Sequence, residues 1–417
     1  MRQDWKTSFR AVWIAEFIAI AGFQTSTPIL PFYLADLGVR GTAALNFWNG
    51  TINALTSLAL ALVAPLWGSL ADSYGKKPML LRATAGGALL LGLMAFVTAP
   101  WQLLTLKILQ GAVTGTVAAA TVLVATIVPE EEVGYRLGLL QVSVFLGSSS
   151  GPLIGGIIGD LVGNRANFLV TAVLLAIASF LVGRFVHEDH HPRPREGRGR
   201  PRFLPDLSAL GANPLLLGLL FCVFAIQVGS GIANPILPLI VQDMTGNAAG
   251  TASLSGLIIG GAAISGALAA ALIGKISGRF GYGRTLVACL FLSFAFYVPQ
   301  GLTHSPWVLL GLRMIAGAFM GGTMPSVNAL LARTADRQSQ GAVFGLSSSF
   351  SSGGAALGPV LGALVATAAG YSSVFFATGA ILGLTGLLIW RSTHRLVDLP
   401  AAKIPKEAAV LGDSPLD

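Results

Sequence analysis

Of the 18 acidic residues in the chain, Glu16 alone lies well inside an apolar run. An ionisable group placed there marks a functional site by default. A carboxyl held out of water is costly to ionise, which suits reversible protonation. Glu16 is therefore the leading candidate for a proton carrier. Two alternatives stand beside that reading. One is a glutamate hydrogen-bonded within a helix bundle. The other is one wetted from the nearby chain end, because Arg10 lies about 9 Å of helix before it. Two cations, Lys107 and Arg313, also fall inside apolar runs. Lys107 and Glu16 are placed near opposite ends of their spans, roughly 12 Å apart in height across about 30 Å of hydrocarbon. No direct ion pair between them is expected. The alternative for either cation is snorkelling to the interface.

These residues need elements to hold them in an apolar medium. The chain has 417 residues, 53% hydrophobic and 11% charged. Soluble domains carry about 25% charged residues, so a globular surface could not be covered here. Apolar runs of membrane-crossing length, about 20 residues, recur near 9–36, 45–71, 78–98, 101–128, 134–160, 166–186, 213–242, 252–277, 285–303, 306–331, 340–368 and 371–391. The expected class is an all-α integral membrane protein of twelve transmembrane helices. The first run is too long for a cleaved signal peptide and reads as a first span. Cys222 and Cys289 lie in apolar runs and read as packing residues.

The basic residues set an expected orientation. Of 26 Lys and Arg, two lie in odd-numbered loops, two inside spans, and the rest at the termini, in even-numbered loops or at their helix ends. By the positive-inside rule both termini are cytoplasmic. The net charge of +8 is then a topology signal, and nucleic acid is not an expected partner. The stretch from His187 to Asn213, rich in Arg, Pro and Gly, reads as a flexible linker. His187, Glu188, Asp189, His190 and His191 lack rigid ligand spacing and read as solvated, so no metal is expected. The domains are then 1–186, a bundle of six helices; 187–212, the linker; 213–391, a second bundle; and 392–417, a cytoplasmic tail.

The two bundles repeat one another. Pro28-Ile-Leu-Pro31 returns as Pro235-Ile-Leu-Pro238, Pro100-Trp101 as Pro306-Trp307, and Gly151-Pro152 as Gly358-Pro359, each 206 or 207 residues on. Lys107 returns as Arg313. An even number of helices per repeat gives parallel topology, which places a substrate site between the halves near the midplane.

Between the second and third spans runs Gly68-Ser-Leu-Ala-Asp72-Ser-Tyr-Gly75-Lys76-Lys77-Pro78. An acidic residue at a helix C-terminus is disfavoured by the dipole, so Asp72 needs a partner. Candidates are Lys76, Lys77 or a helix N-terminus of the other half. We expect Gly68, Asp72, Gly75, Lys76 and Lys77 to form a cytoplasmic gate latch. The copy at Gly274–Arg284 carries Gly278 where Asp would stand. In the fifth span, Gly147, Gly151 and Gly155, with Gly156, offer a smooth face for close helix contact. Pro152 permits a bend there.

The Gly68–Lys77 pattern resembles the helix 2–3 signature of the major facilitator superfamily, with Ser73 where many members carry Arg. The Gly147–Gly156 pattern resembles the helix 5 signature of its twelve-helix drug/proton antiporters. Pro28–Gly38, at the end of the first span, also resembles members of that twelve-helix branch, and Pro65-x-Trp67-Gly68 and Met79-Leu80-Leu81-Arg82 extend the likeness. The resemblance implies the major facilitator fold, two pseudo-symmetric six-helix bundles that rock about a central site. It also implies export of amphipathic compounds in exchange for protons across a bacterial cytoplasmic membrane. Lys107, followed by Gln110 and Gly111, matches a helix 4 position given a role in proton coupling, usually Arg; Arg313 takes the same reading.

Residues on expected inward faces could line the cavity: Phe23, Thr27, Asn53, Gln110, Gln141, Phe145, Gln227, Asn234, Met324 and Asn328. Helix–helix packing is the plainer reading of each. No Gly-x-x-x-x-Gly-Lys-Ser/Thr phosphate loop occurs. Expected partners are a small-molecule substrate, protons and the lipid bilayer. The expected unit is a monomer without cofactor or enzymatic activity, driven by the proton gradient. A symporter importing a small metabolite, or a non-transporting membrane sensor, are the other readings.

Overall fold

The computed structural model describes residues 5–188, 214–246, 248–335 and 340–393. Among them are fourteen helices. The first half contains α1 (Trp5–Asp36), α2 (Thr42–Tyr74), α3 (Lys76–Met94), α4 (Pro100–Val113), α5 (Thr116–Ile127), α6 (Glu130–Val162) and α7 (Asn164–Phe185). The second contains α8 (Pro214–Ala233), α9 (Leu237–Thr245), α10 (Thr251–Phe280), α11 (Tyr282–Gln300), α12 (Pro306–Thr334), α13 (Gln340–Ala369) and α14 (Tyr371–Thr393). Pairs α4–α5 and α8–α9 each form one crossing in two pieces, so fourteen helices make twelve crossings. By length and composition eleven segments are apolar enough to cross a membrane. The remaining helix, α3, holds Lys76, Lys77 and Arg82 among its 19 residues.

The fourth and seventh crossings differ from the continuous spans expected. Gly115 has φ of 118°, outside the helical region, and α4 stops before it. The seventh crossing stops at Asn234-Pro235, where proline lacks an N–H and disfavours helix in the residue before it. Its repeat, Pro28 and Pro31, sits inside the unbroken α1.

The charged reversal between α2 and α3 is as short as the sequence implies. Gly75 alone joins Tyr74 to Lys76, with φ of 97°. Gly281, Gly163 and Gly370 make equally short links between their helices. Gly75 and Gly281 lie at one end of the bundle, here termed the turn end; Gly163 and Gly370 lie at the far end.

Each half buries its own apolar core. Ile29, Tyr33, Leu91 and Phe168 belong to the first, and Leu220, Val223, Leu290 and Phe375 to the second. The halves meet through α6 on α10 and α2 on α13. These contacts are nearly backbone against backbone. A Cβ at Gly156 would lie 2.3 Å from the Ala252 carbonyl oxygen, and one at Gly256 2.2 Å from that of Pro152. At Gly260 the Ser149 oxygen stands 2.4 Å away, and at Gly50 the Pro359 oxygen 2.8 Å. All lie toward the far end. Apolar side chains are exposed at both ends of these helices, Leu62 and Leu268 toward the turn end and Phe47 and Leu161 toward the far end, so exposure alone does not mark the interface. Gly138 and Gly345 face open space. The close backbone contacts between the halves lie at the far end, and among the described glycines of α6 and α13 those nearest the turn end meet no neighbour.

Overpacking such a contact costs about 1–3 kcal/mol. Gly256→Val should lower the thermal midpoint of the purified protein. Gly138→Ala, in open space, should leave it unchanged or raised. Equal midpoints for the two variants would contradict the packing described.

Candidate functional site

Glu16 is fully buried in α1. The Thr116 hydroxyl donates to its Oε1 at 3.0 Å, and Oε2 has no partner among the described residues. Thr116 opens α5, directly after Gly115. The buried carboxylate therefore stands at the interruption of the fourth crossing. Arg10, whose proximity raised the wetted alternative, is itself exposed, while Glu16 is not. The interruption was not expected from the sequence, where its only signal is Thr114-Gly115-Thr116 within an apolar run.

Lys107 and Arg313 also lie inside, at 7% and 4% exposure. Neither snorkels. The Lys107 ammonium donates to Ser26 Oγ in α1 at 3.0 Å. Arg313 donates through Nη1 to the Tyr297 hydroxyl at 3.1 Å, and through Nη2 to Asn234 Oδ1. Asn234 sits at the interruption of the seventh crossing, so Arg313 braces that break. No ion pair with Glu16 forms, as the estimate of their heights implied. A salt bridge joins Arg136 and Glu132 within α6.

The expected lining residues divide. Gln141, Phe145 and Asn328 are exposed on α6 and α12. Thr27, Asn53, Gln227, Asn234 and Met324 are half-buried. Asn53 donates back to Asn49 within α2 at 2.8 Å, and Gln227 packs against Gly354 of α13. Phe23 is half-buried and Gln110 is buried. The Phe23 ring lies against Gly87 of α3, inside the first half. Gln110 Oε1 is enclosed and unpartnered. A stripe drawn from helical spacing fixes a face but not which neighbour covers it.

The glycines of α6 serve two surfaces. Added Cβ atoms at Gly147, Gly151 and Gly155 would meet the α1 backbone at 2.9, 2.4 and 2.1 Å. Gly156 alone of the set faces α10. Pro152 sits within α6, which continues unbroken through it.

At the turn end, Lys76 and Lys77 donate their backbone N–H groups to the Glu188 carboxylate, at 2.9 and 2.7 Å. The Lys77 ammonium donates to the Gly183 carbonyl at 2.9 Å. An anion is favoured at the N-terminus of α3 by the orphan N–H groups and the helix dipole. Glu188 fills that place, so it is held within the fold and is not simply solvated. Gly68 and the Asp72 side chain lie outside the described residues, as do the linker from 189 and the tail from 394.

At the far end, side chains of one half bond directly to the other. Asp160, near the end of α6, accepts from the Ser253 backbone N–H at 2.7 Å and from the Ser253 hydroxyl at 2.6 Å. These groups open α10, so the carboxylate of one half sits at a helix N-terminus of the other. Asn49 adds a bond to the Pro235 carbonyl at 2.6 Å, and Asn46 one to Thr367 Oγ1 at 3.3 Å. All three side chains stand near helix ends, where polar groups are ordinary, and nothing in the sequence singles them out.

An exposed carboxylate at a helix N-terminus contributes about 0.3–1 kcal/mol. Asp160→Ala should therefore speed thiol labelling of Ala252→Cys, buried between the halves, by about two- to fivefold. The native Cys222 and Cys289 are buried and contribute little background. An unchanged labelling rate would show that Asp160 does not hold the far end shut.

Comparison with known proteins places this architecture. The model of the Major Facilitator Superfamily matches residues 12–229 and 219–414, once for each half. The chain is 34% identical over 406 residues to the multidrug resistance protein MdtG of Enterobacter lignolyticus, covering 97% of both. It is 34% identical over 400 residues to that of Citrobacter koseri, covering 96% of this chain and 98% of the relative. The nucleoside transporter NupG has the same fold, with TM-score 0.78 and 15% identity over 92% of this chain and 99% of its own. So has a bacterial homolog of the human lysosomal transporter Spinster in an inward-facing, unoccupied conformation, with TM-score 0.78 and 12% identity over 95% and 98%. The chain belongs to the Major Facilitator Superfamily of membrane transporters.

Proposed function

We propose that this protein is a proton-coupled antiporter that exports drugs or other amphipathic small molecules by alternating access. The observation that carries the proton assignment is Glu16, fully buried, with one oxygen held by Thr116 and the other unpartnered. Protonated, it is tolerable in a dry site. Ionised, it lacks a cation beside it and depends on Thr116 and the start of α5. Exchange of its proton with water is then tied to whether the first half is dry or wet around the interruption. The similarity to proteins named for multidrug resistance supports export as the direction and amphipathic compounds as the cargo.

The positive-inside distribution puts the turn end in the cytoplasm, in the cytoplasmic membrane of a bacterium. The conformation described would then face the cytoplasm. Outward opening breaks the Asp160 latch and parts α6 from α10 and α2 from α13. Asp72, with Lys76 and Lys77, closes the other side. Lys107 and Arg313 set the electrostatics of the two halves and tune binding or coupling. The transporting unit is a monomer that needs the proton gradient and no bound cofactor.

The test is proton flux driven by substrate in proteoliposomes. Glu16→Gln keeps the shape and removes the titration. It should reduce coupled flux at least tenfold. Wild-type coupling in that variant would overturn the assignment of Glu16. Absence of flux for every compound of a broad amphipathic panel would overturn the export reading.

A further inference from the structure

The interruption of the fourth crossing is held from two sides. On its later side, Thr116 binds Glu16. On its earlier side, the Trp67 indole N–H donates to the Ala112 carbonyl at 2.6 Å. In an unbroken helix that carbonyl would accept from residue 116, the residue that now opens α5. Trp67 therefore serves a backbone acceptor freed by the break.

Trp67 is itself fixed. The Arg82 guanidinium of α3 stacks on its ring, 3.5 Å from the centroid. Arg82 Nε is buried and has no hydrogen-bond partner among the described residues, so the ring is a principal neighbour of that cation. Below this point α2 and α4 touch at the backbone. A Cβ at Gly111 would lie 2.2 Å from the Thr56 carbonyl oxygen. The direct link from the α2 end to α4 is the Trp67 indole itself, and the two helices also touch at the backbone earlier along α2. Trp67 immediately precedes Gly68, where the charged reversal begins, and Arg82 lies just past it.

We propose that Trp67, seated by Arg82, is a positioning residue that couples the charged turn to Glu16 through the interruption at Gly115. When the turn end moves, α2 and α3 carry the indole with them. The indole displaces Ala112, and the change in the break alters the Thr116 hydroxyl's hold on the carboxyl. The reverse also holds, since a coupling free energy is reciprocal. The proposal rests on Glu16 as the proton site.

Trp67→Phe keeps an aromatic face for Arg82 and deletes the N–H donor. The first readout is the infrared carbonyl stretch of protonated Glu16, identified by its absence in Glu16→Gln. Thr116→Val, which deletes the direct donor, should raise the frequency of this band; Trp67→Phe should move it the same way. The second readout is transport. Trp67→Phe should lower the maximal rate about tenfold while leaving KM within about twofold. In a double-mutant cycle its effect should be non-additive with Thr116→Val. An unshifted band overturns the proposal, whatever the rate. A shifted band with strictly additive rate effects overturns it as well. If Trp67→Phe does not fold, Arg82→Gln leaves the donor but unseats it, and the same band shift, smaller, is required. The band reports geometry at Glu16 whether or not that residue carries the transported proton. Failure of the antiport reading and failure of this proposal are therefore separable.

Discussion

A backbone N–H or C=O in hydrocarbon must find its partner within the protein. That constraint explains where this fold departs from regular helix and what stands there. The fourth crossing breaks at Gly115, and Trp67 and Thr116 gather at the break. The seventh breaks at Pro235, where the Arg313 guanidinium holds Asn234 and the Asn49 amide reaches the Pro235 carbonyl. Breaks in a membrane helix need polar company, and polar company in a membrane is where chemistry can occur. Glu16 and Arg313 are thus found at the breaks for one reason.

The two halves share a plan but divide its uses. Both Pro-Ile-Leu-Pro segments occur at equivalent positions, yet only the second interrupts its helix. Both cations occupy equivalent places. Lys107 reaches a serine of α1, while Arg313 binds an asparagine and a tyrosine with its planar fork. The only buried carboxylate among the described residues is in the first half, and so is the cross-half latch residue Asp160. The second half supplies the helix N-terminus that receives it.

Much of this was legible in the chain. Apolar length shows the spans, repeated motifs show the halves, and the isolation of Glu16 in an apolar run shows its burial. These signals are strong because hydrocarbon tolerates few exceptions. The interruption at Gly115 was not legible, since 52 glycines are spread through the chain and most serve close packing. Arg82 reads as one more cation near a helix end, and only the fold shows it seated on Trp67. Helical spacing places Phe23 on an inward face of α1, but spacing cannot say which neighbour touches it, and that neighbour is α3. Asp160 and Glu188 read as ordinary charges near helix ends. Each acquires a role from a helix N-terminus distant in sequence, and nothing local to either residue announces it.

The glycine and alanine surfaces between α6 and α10 have an entropic consequence. Such residues have no rotamers to freeze, so bringing these faces together orders almost nothing that was free. Parting them likewise releases little disorder to drive the faces open. In the alternating access proposed above, side-chain ordering at this interface would then contribute little to the free-energy difference between the two arrangements. In that transport cycle, a balance this level is one that a single seated carboxylate, or a single proton on a buried acid, would tip.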